Sequence, residues 1–189
     1  MVDPNLDDSS APNTQGSHGL THLDARGRAS MVDVSHKPLT ARRAVAEATI
    51  RLDAAVRAEV LTGNMPKGEV LAVARIAGIQ AAKDTARLIP LCHSLPLSYV
   101  AIDFEPVGAE ALRITAEATT VAATGVEMEA LVAASVAALT VYDMVKAKCR
   151  AAVVENVQLV HKSGGKSGVW DRAAADGAEG DRGRRGKNA

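Results

Sequence analysis

The sequence predicts an α+β domain on three observations. Short runs alternate apolar and polar residues with period two, as half-covered strands do, and Ala-rich runs of helical spacing separate them. The runs follow the order β-α-α-β-β-α-β, with the two middle strands joined by a short connector. A chain of 189 residues, 47% of them hydrophobic, suits one compact domain. With the first two helices counted as one layer, this is the split β-α-β-β-α-β arrangement of a ferredoxin-like sheet with its helices packed on one face.

Taken in order, the first strand runs from Arg43 to Asp53, with Ala46, Ala48, Ile50 and Leu52 facing one way and Val45, Glu47, Thr49 and Arg51 the other. Residues 54 to 62 form a short helix that Gly63-Asn64 closes. After the turn Met65-Pro66-Lys67-Gly68, residues 69 to 88 are Ala-rich and helical, with a break expected at Gly78 and a stop at Pro90. SYVAIDFEP and ALRITAEATT are the two strands of a hairpin, the first placing Val100, Ile102 and Phe104 on one face. A long helix from about 128 to 148 and a last strand from about 151 to 161 complete the domain, set at 21–169. Residues 1–20 and 170–189 lack hydrophobic periodicity and read as disordered tails.

Composition excludes several function classes. Lys plus Arg equals Asp plus Glu, so the global basic footprint of a nucleic-acid binder is absent. With one Phe, two Tyr and one Trp, the sheet lacks the stacking residues that single-stranded RNA needs. The N-terminus has no basic and apolar leader pattern, and no run reaches the roughly 18 consecutive apolar residues of a membrane span, so a cytoplasmic protein is expected. Cys92 and Cys149 form no CxxC pair and read as free thiols, with no metal set around them. Because small residues fill the core, further burial between subunits is expected to add stability.

Charge inside apolar surroundings marks the candidate site. On the long helix, Val132, Val136 and Leu139 lie within about 60° of one another at 100° per residue. Asp143 and Lys146 continue that stripe and Glu129 begins near its edge. Two readings fit: a helix end emerging into water with a weak surface pair, or a carboxylate that orients a lysine for proton transfer. Lys67, in a turn, reads on spacing alone as solvent decoration. HKSGGKSG is not a Walker A loop, because the glycine required five residues before Gly165 is Val160. Its glycines with Lys162 and Lys166 still suit contact with phosphates.

MVDVS (31–35), KGE (67–69), ARIAGIQAAK (74–83), LIPLCHSLPLS (88–98), TGVEMEAL (124–131), AASVAALTVYDMVKA (133–147) and KSGGKSG (162–168) together resemble the MoaC family of cyclic pyranopterin monophosphate synthases. The resemblance covers roughly residues 20–169. It implies conversion of 3′,8-cyclo-7,8-dihydroguanosine 5′-triphosphate to cyclic pyranopterin monophosphate with release of diphosphate, in molybdenum cofactor biosynthesis. It implies Asp143, Lys146 and Lys67 as catalytic residues, and Leu91, Cys92, His93, Met128 and Glu129 as the lining of the substrate pocket. Arg42, Lys162 and Lys166 match basic positions that would hold phosphates. No cofactor is implied beyond Mg²⁺ travelling with the triphosphate, and the assembly is expected to be a homohexamer, a trimer of dimers, with sites between subunits. From the chemistry, a lysine of depressed pKa is expected, with Lys67 and Lys146 contributed by different subunits. The rival expectation is a ferredoxin-like module that binds a nucleotide without turning it over.

Overall fold

The computed structural model describes residues 26–174. The chain divides into two units, Met1–Val32 and Asp33–Ala189, and every candidate site residue lies in the second. In that unit the elements are β1 (Thr40–Arg51), α1 (Ala54–Thr62), α2 (Val70–Lys83), α3 (Thr85–Leu88), β2 (Leu97–Val107), β3 (Ala111–Ala122), α4 (Glu127–Val145), β4 (Val153–Ser163) and β5 (Trp170–Asp171). The strands form one antiparallel sheet in the order β2-β3-β1-β4-β5. The first four follow the ferredoxin-like order, and β5 extends the sheet beyond β4. Trp170 and Asp171 were expected in the C-terminal tail; their pairing with Lys162 and His161 makes them an edge strand instead. The N-terminal tail and the chain beyond residue 174 lie outside the described residues.

Period two translates directly into the sheet. Ala44, Ala46, Ala48 and Ile50 of β1 face the helices, opposite Ala118, Ala116, Ile114 and Leu112 of β3, and all eight are buried. The alanines let α4 approach closely with its own alanine face: Ala130, Ala133, Ala134, Ala137 and Ala138 are fully buried. This overturns the expected apolar stripe. Val132 and Val136 are only half-buried and Leu139 is exposed, because close packing on a sheet of small residues selects the small side of the helix. α4 is long and apolar enough to cross a membrane by length and composition alone, yet half of that window is buried inside the fold, as in a core helix.

Gly78 does not break α2; the helix ends at Lys83, and Asp84 separates it from α3. A Cβ at Gly78 would lie 2.2 Å from Ile102 Cδ1 and 2.8 Å from the Ala133 carbonyl oxygen, so the glycine permits the close approach of α2 to α4 and β2. Gly78→Ala is expected to destabilise the fold by about 1–3 kcal/mol through overpacking. Urea denaturation followed by circular dichroism measures it, and an unchanged midpoint would show that the helices can separate freely.

Candidate active site

The first cluster sits at the C-terminal end of α4. Asp143 lies in the helix's last turn and Lys146 at its C-cap, and Lys146 Nζ is 2.7 Å from Asp143 Oδ1. Lys67 joins them from the turn before α2. Buried Met65 anchors that turn, and the Gly68 N–H donates to the Met65 carbonyl at 2.9 Å with Gly68 at φ 88°. Lys67 Nζ donates to the Asp143 carbonyl at 3.0 Å and stands 3.6 Å from Asp143 Oδ2. A cation is favoured there by the negative end of the helix dipole. Lys67 is therefore positioned rather than decorative, and it meets Asp143 of its own chain. This departs from the expectation that Lys67 and Lys146 come from different subunits: in the single chain both flank one carboxylate.

Electrostatics corrects a second expectation. The Lys146 hydrogen bond and charge, with the Lys67 charge, hold the Asp143 carboxyl below its ordinary value. Reciprocally, the Asp143 hydrogen bond raises Lys146 rather than depressing it. Both side chains are more than half exposed in the single chain, so desolvation opposes the ion pair less than the hydrogen bond and charges favour it. The resting arrangement is an ionised carboxylate between two ammonium groups.

The second cluster surrounds a cavity of about 880 Å³. Arg42, Lys162 and Lys166 line it as expected, joined by Lys37, Arg43 and His36, which the sequence reading did not single out. Arg42 directs Nε and an Nη toward the carbonyls of Ala122 and Ala123, each at 3.4 Å. Its guanidinium lies across Gly165, where a Cβ would sit 1.7 Å from the other Nη; with φ 71°, that position needs glycine for two reasons. Among the described residues Glu127 is the one carboxylate in the lining, and it accepts a hydrogen bond from Lys162 Nζ at 3.1 Å. The net field in the cavity is positive, as an anion with several charges requires.

The third group adjoins the same end of α4. Leu91, Cys92, His93 and Met128 are half-buried, while Glu129 is only 4% exposed. Burial, with the Glu129 charge adding to it, pushes the Cys92 thiol up, which disfavours a thiolate nucleophile. Burial drives the Glu129 carboxyl up to about 7, against its own backbone N–H and with the Glu127 charge. A carboxyl raised in this way contributes stability below its unfolded value of 4.5 and loses it as pH climbs toward 7. Glu129→Gln is therefore expected to match the parent near pH 4 and to exceed its stability at pH 8 by on the order of 2 kcal/mol. Melting temperatures across that range check this; equal pH profiles would place the carboxyl in water.

Sixteen positions separate Glu127 from Asp143 on α4, about 24 Å of helix rise. The structure thus brings the expected catalytic residues together at one end and the basic cavity together at the other, and does not join the two within a chain. Among the described residues, no three His, Cys, Asp or Glu side chains converge to hold a metal ion.

Residues 31–165 match the MoaC family, 135 of the 189 residues of the chain. The chain belongs to the MoaC family. One relative of this MoaC chain, cyclic pyranopterin monophosphate synthase of Chloroflexus aggregans (strain MD-66 / DSM 9485), is 53% identical over 154 residues, which span 81% of this chain and 93% of the relative. The MoaC match encloses Lys67, Asp143, Lys146 and the cavity as far as Gly165, and stops one residue short of Lys166.

Proposed function

We propose that this MoaC-family chain is a cyclic pyranopterin monophosphate synthase, acting in molybdenum cofactor biosynthesis on 3′,8-cyclo-7,8-dihydroguanosine 5′-triphosphate. The observation that carries the reading is the basic cavity beside α4, where one carboxylate, itself bonded to Lys162, faces several cations in a chain of this family. A triphosphate brings about four negative charges, and converging Lys and Arg groups supply the neutralisation.

The reaction is a phosphorus–oxygen lyase step coupled to a ring rearrangement. A ribose-derived oxygen forms a bond to the α-phosphorus as the bond from that phosphorus to the diphosphate oxygen breaks. The diphosphate leaves into the basic cavity, where Arg42, Lys162 and Lys166 stabilise its charge. At the other cluster, Lys146 and Lys67 enter as ammonium groups able to donate protons to ring nitrogens, and Asp143 holds both in place. A neighbouring protomer that covers the cluster would exclude solvent from the reacting ring. No organic cofactor is required, and Mg²⁺, where used, arrives on the phosphate oxygens of the substrate.

The separation of about 24 Å exceeds what one nucleotide triphosphate spans, which supports sites formed between subunits. Val73, Ile76, Leu88 and Leu139 on α2, α3 and α4 are exposed in the single chain and favour burial in a homo-oligomer, read here as a trimer of dimers. The partner is a small nucleotide-derived substrate, not nucleic acid or membrane, and the reading places the protein in the cytoplasm.

The test is to incubate the pure protein with the cyclised nucleotide and follow diphosphate release and an oxidisable fluorescent pterin. Both should appear at turnover stoichiometry. Tight binding with neither product would overturn the reading in favour of a non-catalytic nucleotide-binding module.

A further inference from the structure

We propose that His161 and Asp171 are a positioning pair that clasps β5 to β4, holding the glycine loop between them, and with it Lys166, against the basic cavity. The proposal rests on the reading of that cavity as the phosphate cradle. His161 lies within the span that matches the MoaC family and Asp171 beyond it, and neither lines the cavity itself.

The loop from Gly164 to Val169 does not fix its own shape. Gly164, Gly165 and Gly168 all have positive φ, at 96°, 71° and 66°, and one turn-like bond, from the Gly168 N–H to the Gly165 carbonyl at 3.2 Å, runs inside it. Three glycines in so short a stretch give the unclasped chain a large conformational freedom. Beyond the packing of Gly164 and Gly165 on Ala41 and Arg42, its placement therefore comes from its two ends. The first is secure, because β4 is paired with β1 as far as Ser163 opposite Arg43. The second is β5, a strand of two residues at a sheet edge, which backbone pairing alone holds weakly.

Side chains supply what β5 lacks. His161 and Asp171 are directly opposed in the β4–β5 register, and His161 Nδ1 lies 2.6 Å from Asp171 Oδ1. The carboxylate accepts from Nδ1–H whether the ring is neutral or charged, so the clasp holds in both states. Just beyond it, Arg172 Nε donates to the Leu159 carbonyl at 2.8 Å, and the Arg172 guanidinium lies 5.5 Å from the Trp170 ring. The clasp also faces the cavity wall: Glu117 grips Arg43 through two bonds of 2.8 and 2.7 Å, and the Asp171 charge reaches the same guanidinium. Releasing Asp171 leaves that end of the loop to the Arg172 bond and a two-residue strand, lowering the local concentration of Lys166 at the cradle.

The 189-residue chain carries a single tryptophan, Trp170 in β5, which makes the clasp observable. Inorganic triphosphate is titrated calorimetrically into the parent, His161→Ala, Asp171→Asn and the swapped pair His161→Asp with Asp171→His, with Trp170 emission and kinetics recorded on each. The single variants are expected to bind triphosphate about 10-fold more weakly and to raise KM by a similar factor with kcat held within about 2-fold. Their Trp170 emission should shift to the red and quench more readily with acrylamide, and the swap should recover most of both effects. Because the buried core is untouched, far-ultraviolet circular dichroism and oligomer mass should stay at parental values. Parental triphosphate affinity in the single variants, or a Trp170 shift with unchanged affinity, would overturn the clasp while leaving the cradle standing. A parent protein that does not bind triphosphate would overturn the cradle and the positioning role together.

Discussion

Asp143→Asn is expected to lower turnover about 1,000-fold, inside the roughly 10²–10⁴ range of a positioned acid–base system, while the fold survives. The geometry explains why this one substitution should act so strongly. Asp143 bonds Lys146 through Oδ1 and stands within ion-pair reach of Lys67 through Oδ2, so its charge orients both proton carriers at once. An asparagine keeps the size and one acceptor but loses the negative charge that holds two ammonium groups side by side. Repulsion between them then displaces at least one from the reacting ring. Stability should be spared because the side chain is exposed in the chain and lies off the alanine face that packs on the sheet. Triphosphate affinity should be spared too, since the basic cavity lies at the opposite end of α4. Single-turnover kinetics with the cyclised nucleotide, beside calorimetry with inorganic triphosphate, separate these effects. A variant that keeps turnover within 10-fold of the parent would remove Asp143 from the chemistry.

Part of this site was legible from the sequence, and the division follows the range of each signal. Alternation in ALRITAEATT fixes β3 because side-chain direction along a strand is local, and its buried face is Leu112, Ile114, Ala116 and Ala118, every second residue. The i, i+3 spacing of Asp143 and Lys146 is equally local, and the two do form a pair. Lys67 reaches Asp143 across 76 positions, and no spacing rule spans that distance. Its role could be approached only through resemblance. The core face of α4 was misjudged for a different reason. Periodicity weighted by hydrophobicity points to the largest apolar residues, whereas the sheet accepted the smallest, leaving Leu139 outside. Arg43 was missed as a cavity residue because it alternates with Arg42, and the concavity wraps the strand end so that both line it. β5 was missed because two residues carry no period.

Mixed oligomers should show which groups share a site, and the expected pattern departs from a simple division of lysines between subunits. Chains carrying Asp143→Asn, mixed in equal amounts with chains carrying Lys162→Ala and Lys166→Ala, should regain up to about one-quarter of parental activity. That fraction follows if each site draws its acid–base cluster from one protomer and its cradle from another: random pairing then assembles one intact site in about four. Chains carrying Lys67→Ala mixed with chains carrying Lys146→Ala should regain nothing. Both lysines flank the same Asp143 within a chain, so every cluster in that mixture lacks one of them. The two mixtures control for each other, because both demand subunit exchange and only one can rebuild a complete site. The distance of about 24 Å between Glu127 and Asp143 makes the first result necessary for any catalysis through both clusters, since a chain acting alone cannot present them to one substrate. Recovery in the lysine mixture, or none in the first with exchange verified by mass spectrometry, would mean that the clusters are not partitioned as the single chain displays them.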